Sequence, residues 1–127
     1  MSEHDEQCAV VKWFKMKYPN YAGCIIAIPN GSHLAGTKVQ RFAKVARAKK
    51  EGMKNGASDL FIAVPESGYH GMWLEMKDKG KTQCSVSKEQ SEHLALMAEF
   101  GYYAVWAAGF EAAKELIEDY LSDPLGA

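Results

Sequence analysis

The segments of this chain predict an α/β fold, a mixed four-stranded sheet with helices on both faces, in the order αβαββαβα. Three observations predict it: apolar residues recur at helical spacing in four segments, four short apolar runs suited to strands lie between them, and Gly or Pro marks most junctions. Strands this apolar need packing on each face, which the flanking helices supply. At 127 residues the chain fits one domain.

Residues 4–18 place Val10 or Val11, Phe14 and Tyr18 at helical spacing and stop at Pro19, which predicts a first helix. Cys24 to Ile28 is an apolar run closed by Pro29-Asn30-Gly31, a strand followed by a turn. From Leu34 to Glu51, Ala35, Val39, Phe42, Ala43 and Ala46 fall on one side and basic residues on the other, so a second, amphipathic helix runs to Gly52. Asp59 to Val64 and Met72 to Lys77 are two strands joined through the turn formers of 65–71, a predicted hairpin. Ser87 to Phe100 is a third helix stopped by Gly101, Tyr102 to Ala107 a fourth strand, and Phe110 to Leu121 a fourth helix.

No apolar run approaches the ~18–20 residues of a membrane span, and the polar, acidic start MSEHDEQ is no signal peptide, which points to the cytoplasm. Cys8, Cys24 and Cys84 are odd in number and widely spaced, against a disulfide scaffold or a Cys-rich zinc site. His4, His33, His70 and His93 lack zinc-site spacing and read as surface or loop residues. Trp13, Trp73 and Trp106 read as packing residues.

The net charge of −1 hides a strong polarity. Lys38, Arg41, Lys44, Arg47, Lys49, Lys50 and Lys54 face a single acid, Glu51, while Glu111 to Asp123 holds five acids against Lys114. Lys77, Lys79, Lys81 and Lys88 form a second basic cluster. A local basic stripe attracts a polyanion whatever the total charge; it also fits a plainly solvated helix face.

Period-two alternation sets Trp73, Glu75 and Lys77 on one face of their strand and Met72, Leu74 and Met76 on the other. If the hairpin folds symmetrically about Gly68, Asp59 lies across from Lys77 and becomes the diagonal neighbour of Glu75, with Cβ atoms roughly 7 Å apart or less. Two carboxylates that close repel unless a hard cation such as Mg²⁺ joins them; a cross-strand Asp59–Lys77 salt bridge is the other reading. With a cation, the site could activate water against a phosphodiester, with Lys77 beside it.

The runs AIPNG at 27–31, GASDL at 56–60, YHG at 69–71, LEMK at 74–77, SKEQ at 87–90, GY at 101–102 and YL at 120–121, in this order over nearly the whole chain, closely resemble the VRR-NUC family. This is the virus-type replication-repair branch of the PD-(D/E)XK nucleases, and the resemblance is to its short stand-alone members from phages and bacteria. It implies a restriction-endonuclease-like core, dependence on Mg²⁺ or Mn²⁺, hydrolysis of DNA in replication, repair or recombination, and a homodimer. By position, Asp59 and Glu75 would be metal carboxylates, Lys77 the motif lysine, and the Met76 carbonyl a further ligand. Glu6 would be the acid of the first helix, with Glu3 its competitor. Gln90 would reach the site or a phosphate, although Ser87-x-x-Gln90 is also a capping box. Lys38, Arg41, Lys44, Arg47, Lys49, Lys50 and Lys54 would hold the DNA backbone, positioning DNA without reading its sequence. Ser58 stands where the family usually has proline. A nucleic-acid-binding module that keeps the fold without catalysis is the alternative; the joint presence of Asp59, Glu75, Lys77 and Gln90 speaks against it.

Overall fold

The structure, a computed structural model, describes residues 2–29 and 36–122. Each of three helices starts at a hydroxyl residue whose side chain accepts the N3 amide while the N3 side chain returns to the cap: Ser2 with Asp5, Thr37 with Gln40, and Ser87 with Gln90. They are α1 (Glu3–Lys17), α2 (Lys38–Lys50) and α3 (Lys88–Glu99). Thr37 sets the start of α2, later than the Leu34 predicted; 34 and 35 lie outside the described residues. The fourth helix, α4 (Phe110–Leu121), follows Gly109, whose φ of 91° turns the chain out of the preceding strand and which offers no capping side chain.

The strands are β1 (Ile25–Ala27), β2 (Leu60–Ile62), β3 (Met72–Lys77) and β4 (Tyr103–Ala108), in the spatial order β1-β2-β3-β4. β1 and β3 each pair antiparallel with β2, and β4 pairs parallel with β3. The predicted element order and mixed sheet are both present; β1 and β2 are shorter than predicted. The Asn30 and Gly31 of the predicted turn lie outside the described residues.

The register of the hairpin differs from the prediction. β2 and β3 pair Leu60 with Leu74 and Phe61 with Trp73, two residues away from the symmetric register about Gly68. The turn itself is closed by a Glu66–Tyr69 bridge, with Ser67 at φ 53° and Gly68 at φ 85°. Pro65 has no amide to donate to a ladder, and the β2 side carries one residue more than the β3 side between bridge and strands. A shift of two leaves every side chain on its predicted face but changes what each one meets.

Met72, Leu74 and Met76 of β3 join Val10 and Phe14 of α1 and Ala113, Ile117 and Tyr120 of α4 in the core. α3 covers the opposite face, over β3 and β4. There the row Ile26, Phe61, Trp73 runs across the sheet, and its outer end, Ile26, is exposed. The apolar side of α2 is also uncovered: Val39 and Phe42 are each 79% exposed. No helix among the described residues is long and apolar enough to cross a membrane.

Candidate active site

The observed register brings the carboxylates together. Continuing it by one pair sets Asp59, just ahead of β2, directly across from Glu75 rather than from Lys77. The predicted cross-strand Asp59–Lys77 salt bridge does not form among the described residues. Asp59 Oδ2 accepts the Met76 amide at 2.7 Å, so the side chain is pinned to β3 beside Glu75. Hydrogen-bonded residues of an antiparallel pair direct N–H and C=O to the same side, so the Met76 carbonyl leaves β3 on this edge too.

The third acid comes from α1. One carboxylate oxygen from each of Glu3, Asp59 and Glu75 lies within 4.8 Å of the others. Glu3, and not Glu6, therefore occupies the place predicted for the acid of the first helix. Glu6 is buried, and its Oε2 accepts the Phe110 amide, capping the helix that Gly109 leaves without a side-chain cap. A carboxylate belongs there, because the first amides of a helix point out unpaired and the dipole favours negative charge.

The cluster is electrostatically unsatisfied. Glu75 is only 2% exposed. Its carboxyl is pushed up to about 9, first by burial, then by its hydrogen bond to Asp59 and by that neighbour's negative charge, with Lys77 pulling the other way. Burial and Asp59 also raise Glu3. Asp78 Oδ1, close enough to act on Glu3, is shut off from solvent and meets no hydrogen-bond partner among the described residues. Three converging oxygens, one of them on a group that keeps its proton in the cluster, fit a hard divalent cation, which would displace that proton and join the acids.

Gln90 ties the remaining groups together. Its Oε1 accepts from Lys77 Nζ at 2.8 Å and from the Ser87 amide at 2.9 Å, and its Nε2 donates to Glu75 Oε2 at 3.2 Å. It is the N3 residue of the predicted capping box, and its side chain also lies between Lys77 and Glu75. The sheet face of Glu75 and Lys77 is also that of Trp106, whose Nε1 donates to Gln83 at 2.7 Å, so this tryptophan lies across the sheet from the main core.

His93 departs from the surface or loop position that its spacing suggests. It is buried on α3, where its Nδ1 lies 3.2 Å from Ser58 Oγ and its ring meets the Trp73 edge to face. A signal exists in the sequence: three residues after Gln90 on a helix, it shares Gln90's side. The basic residues Lys38, Arg41, Lys44, Arg47, Lys49 and Lys50 line α2 and Lys54 follows it, all at the surface. Lys54 lies close enough to act on His93.

No family model matches the sequence, and no curated protein does. A solved structure described as a VRR_NUC domain protein is similar to the chain with a TM-score of 0.78 at 26% identity, over 95% of this chain and 88% of that one.

Proposed function

We propose, from the premise that the chain belongs to the VRR-NUC family, that it is a Mg²⁺- or Mn²⁺-dependent DNA endonuclease directed by the structure of its substrate. The observation that carries this reading is the convergence of Glu3, Asp59 and Glu75 beside a lysine held by Gln90. Glu3, Asp59 and Glu75, with the Met76 carbonyl, would hold the cation, whose chemistry is to acidify a bound water and neutralise charge on the phosphate. Lys77 directs its ammonium at the space beside Glu75, where it orients the attacking water and offsets negative charge on the phosphate oxygens. Gln90 keeps that ammonium from collapsing into an ion pair with Glu75, since it receives the Lys77 proton donor on one atom and satisfies Glu75 with the other.

The positive face of α2 binds the phosphate backbone, which fits recognition of branched, flapped or nicked DNA by shape. A homodimer would bring two sites to such a substrate. It is supported by apolar residues that the described residues leave open: Val39 and Phe42 of α2, Leu96 of α3 and Phe100 just after it. Incubation with a panel of branched and linear DNAs in Mn²⁺ tests the proposal, with Glu75→Ala alongside. Cleavage by the parent that is lost in the variant is expected; equal cleavage by the variant would overturn the mechanism.

A further inference from the structure

We propose that the buried Ser58–His93 pair is a positioning device for Asp59 and so sets the affinity of the carboxylate cluster for its cation. The inference rests on the metal-site reading above and adds to it two buried residues outside the converging carboxylates.

Asp59 lies one residue outside β2; its carbonyl accepts the Ile28 amide at 2.8 Å and its side chain the Met76 amide, and neither bond fixes the segment that enters it. Gly56 and Ser58, just ahead of it, are held against α3. Gly56, at φ 81°, runs so close to the first turn of that helix that a Cβ would stand 2.5 Å from the Glu89 carbonyl carbon. Two residues on, Ser58 is fully buried and its hydroxyl shares a hydrogen bond with His93 Nδ1 at 3.2 Å. His93 cannot swing away, because the ring of Trp73 packs against it with centroids 5.0 Å apart and planes at 87°. Burial, with Lys54 nearby, holds the imidazole pKa below the usual histidine value, which keeps the ring neutral at neutral pH and able to share a single proton with the hydroxyl.

The same helix holds the other half of the site, since Gln90, one turn before His93, carries Lys77 and Glu75. α3 thus acts as a gauge between the two strands. Its His93 locates the segment entering Asp59, and its Gln90 locates the groups at the end of β3. Breaking the Ser58–His93 bond loosens the segment entering Asp59 and leaves its carboxylate held by the Met76 and Ile28 amides alone, while Lys77 and Glu75 keep their partner. The effect falls on cation binding ahead of any change in the lysine.

The test is Mn²⁺ titration by calorimetry on the whole protein, with thermal unfolding of each variant. Ser58→Ala removes the hydrogen bond and leaves the packing of His93 on Trp73. His93→Asn keeps an acceptor and donor near the Nδ1 position and loses that packing. Partners that orient metal ligands change affinity about 10–100-fold, so Ser58→Ala is expected to bind Mn²⁺ about ten-fold more weakly, and to unfold a few degrees earlier because His93 Nδ1 is left buried without its partner. His93→Asn is expected to unfold earlier yet bind within about three-fold of the parent, because the orienting bond persists. The double variant Ser58→Ala, His93→Leu should bind no more weakly than Ser58→Ala, since one interaction is removed in both. Parent-like Mn²⁺ binding by Ser58→Ala overturns the inference and leaves the metal site standing, and it decides the matter even if His93→Asn does not fold. Absence of Mn²⁺ binding by the parent overturns both.

Discussion

Replacing Glu75 by Gln should stabilise the metal-free protein at neutral pH and abolish its stabilisation by a cation. Folding takes the Glu75 carboxyl from its ordinary pKa of 4.5 up to about 9, so between those values the folded chain keeps a proton that the unfolded chain releases. Stability therefore falls as pH rises through that window and levels off above it. At pH 7 the unfolded carboxyl is about 2.5 units above its pKa, and at 1.36 kcal/mol per unit the loss is at most about 3 kcal/mol. Gln carries no such proton, yet its amide can still donate to Asp59 and its oxygen can still accept from Gln90. Urea unfolding in a chelator should show the two proteins within about 1 kcal/mol at pH 5 and the variant ahead by up to about 3 kcal/mol at pH 7, roughly 10 °C in unfolding temperature. With Mn²⁺ at 100 times its dissociation constant the parent should gain about 2.7 kcal/mol and the variant almost nothing, which closes or reverses the gap. A gap no larger at pH 7 than at pH 5 refutes the argument from a protonated, buried Glu75.

Because one proton must leave as the cation enters, Mn²⁺ affinity should rise about ten-fold per pH unit between pH 6 and 8; a flat profile in calorimetry counts against the coupled acids. Glu3→Ala should weaken Mn²⁺ binding while leaving unfolding nearly unchanged, whereas Glu6→Ala should cost about 1–2 kcal/mol in urea unfolding by uncapping α4 and retain Mn²⁺ binding. Lys77→Met should lower cleavage of any cleavable DNA at least about 100-fold with Mn²⁺ affinity equal to or above the parent's, since a cation next to the site is gone. Reversing Arg41 and Arg47 to Glu should weaken DNA binding and flatten its dependence on salt by about one unit of slope for each phosphate no longer neutralised, measured by fluorescence anisotropy.

Much of the fold is legible in the sequence because its signals are local. The capping box at Ser87 and the stops at Pro19 and Gly101 lie within one turn of what they control, and β3 declares its two faces in six residues. Alternation marks Glu75 and Lys77, and the family resemblance adds Asp59 and Gln90 to them. What stays hidden depends on neighbours distant in sequence. Glu3 and Glu6 differ by less than a turn of one helix, and choosing between them requires knowing where the start of α4 docks, 104 positions further on. The register is shifted because Pro65 and one extra residue interrupt the ladder, a feature that a symmetric reading of the connection ignores. His93 looks like any surface histidine until Ser58, from the segment ahead of β2, and Trp73 of β3 arrive beside it. The apolar stripe of α2 is visible as a pattern, but periodicity says only that a face exists, not that this chain covers it; Val39 and Phe42 are left open.

The double engagement of Gln90 has a dynamic consequence. The atom that accepts from Lys77 also secures the Ser87 amide, and Ser87 in return secures the Gln90 amide at 3.1 Å. The first turn of α3 therefore cannot open without releasing the lysine, and anything that clamps Glu75 and Lys77 in place closes that turn. Amide exchange at Ser87 and Gln90 becomes a readout of whether Glu75 and Lys77 are held together, slowed by a bound cation and quickened by loss of either partner.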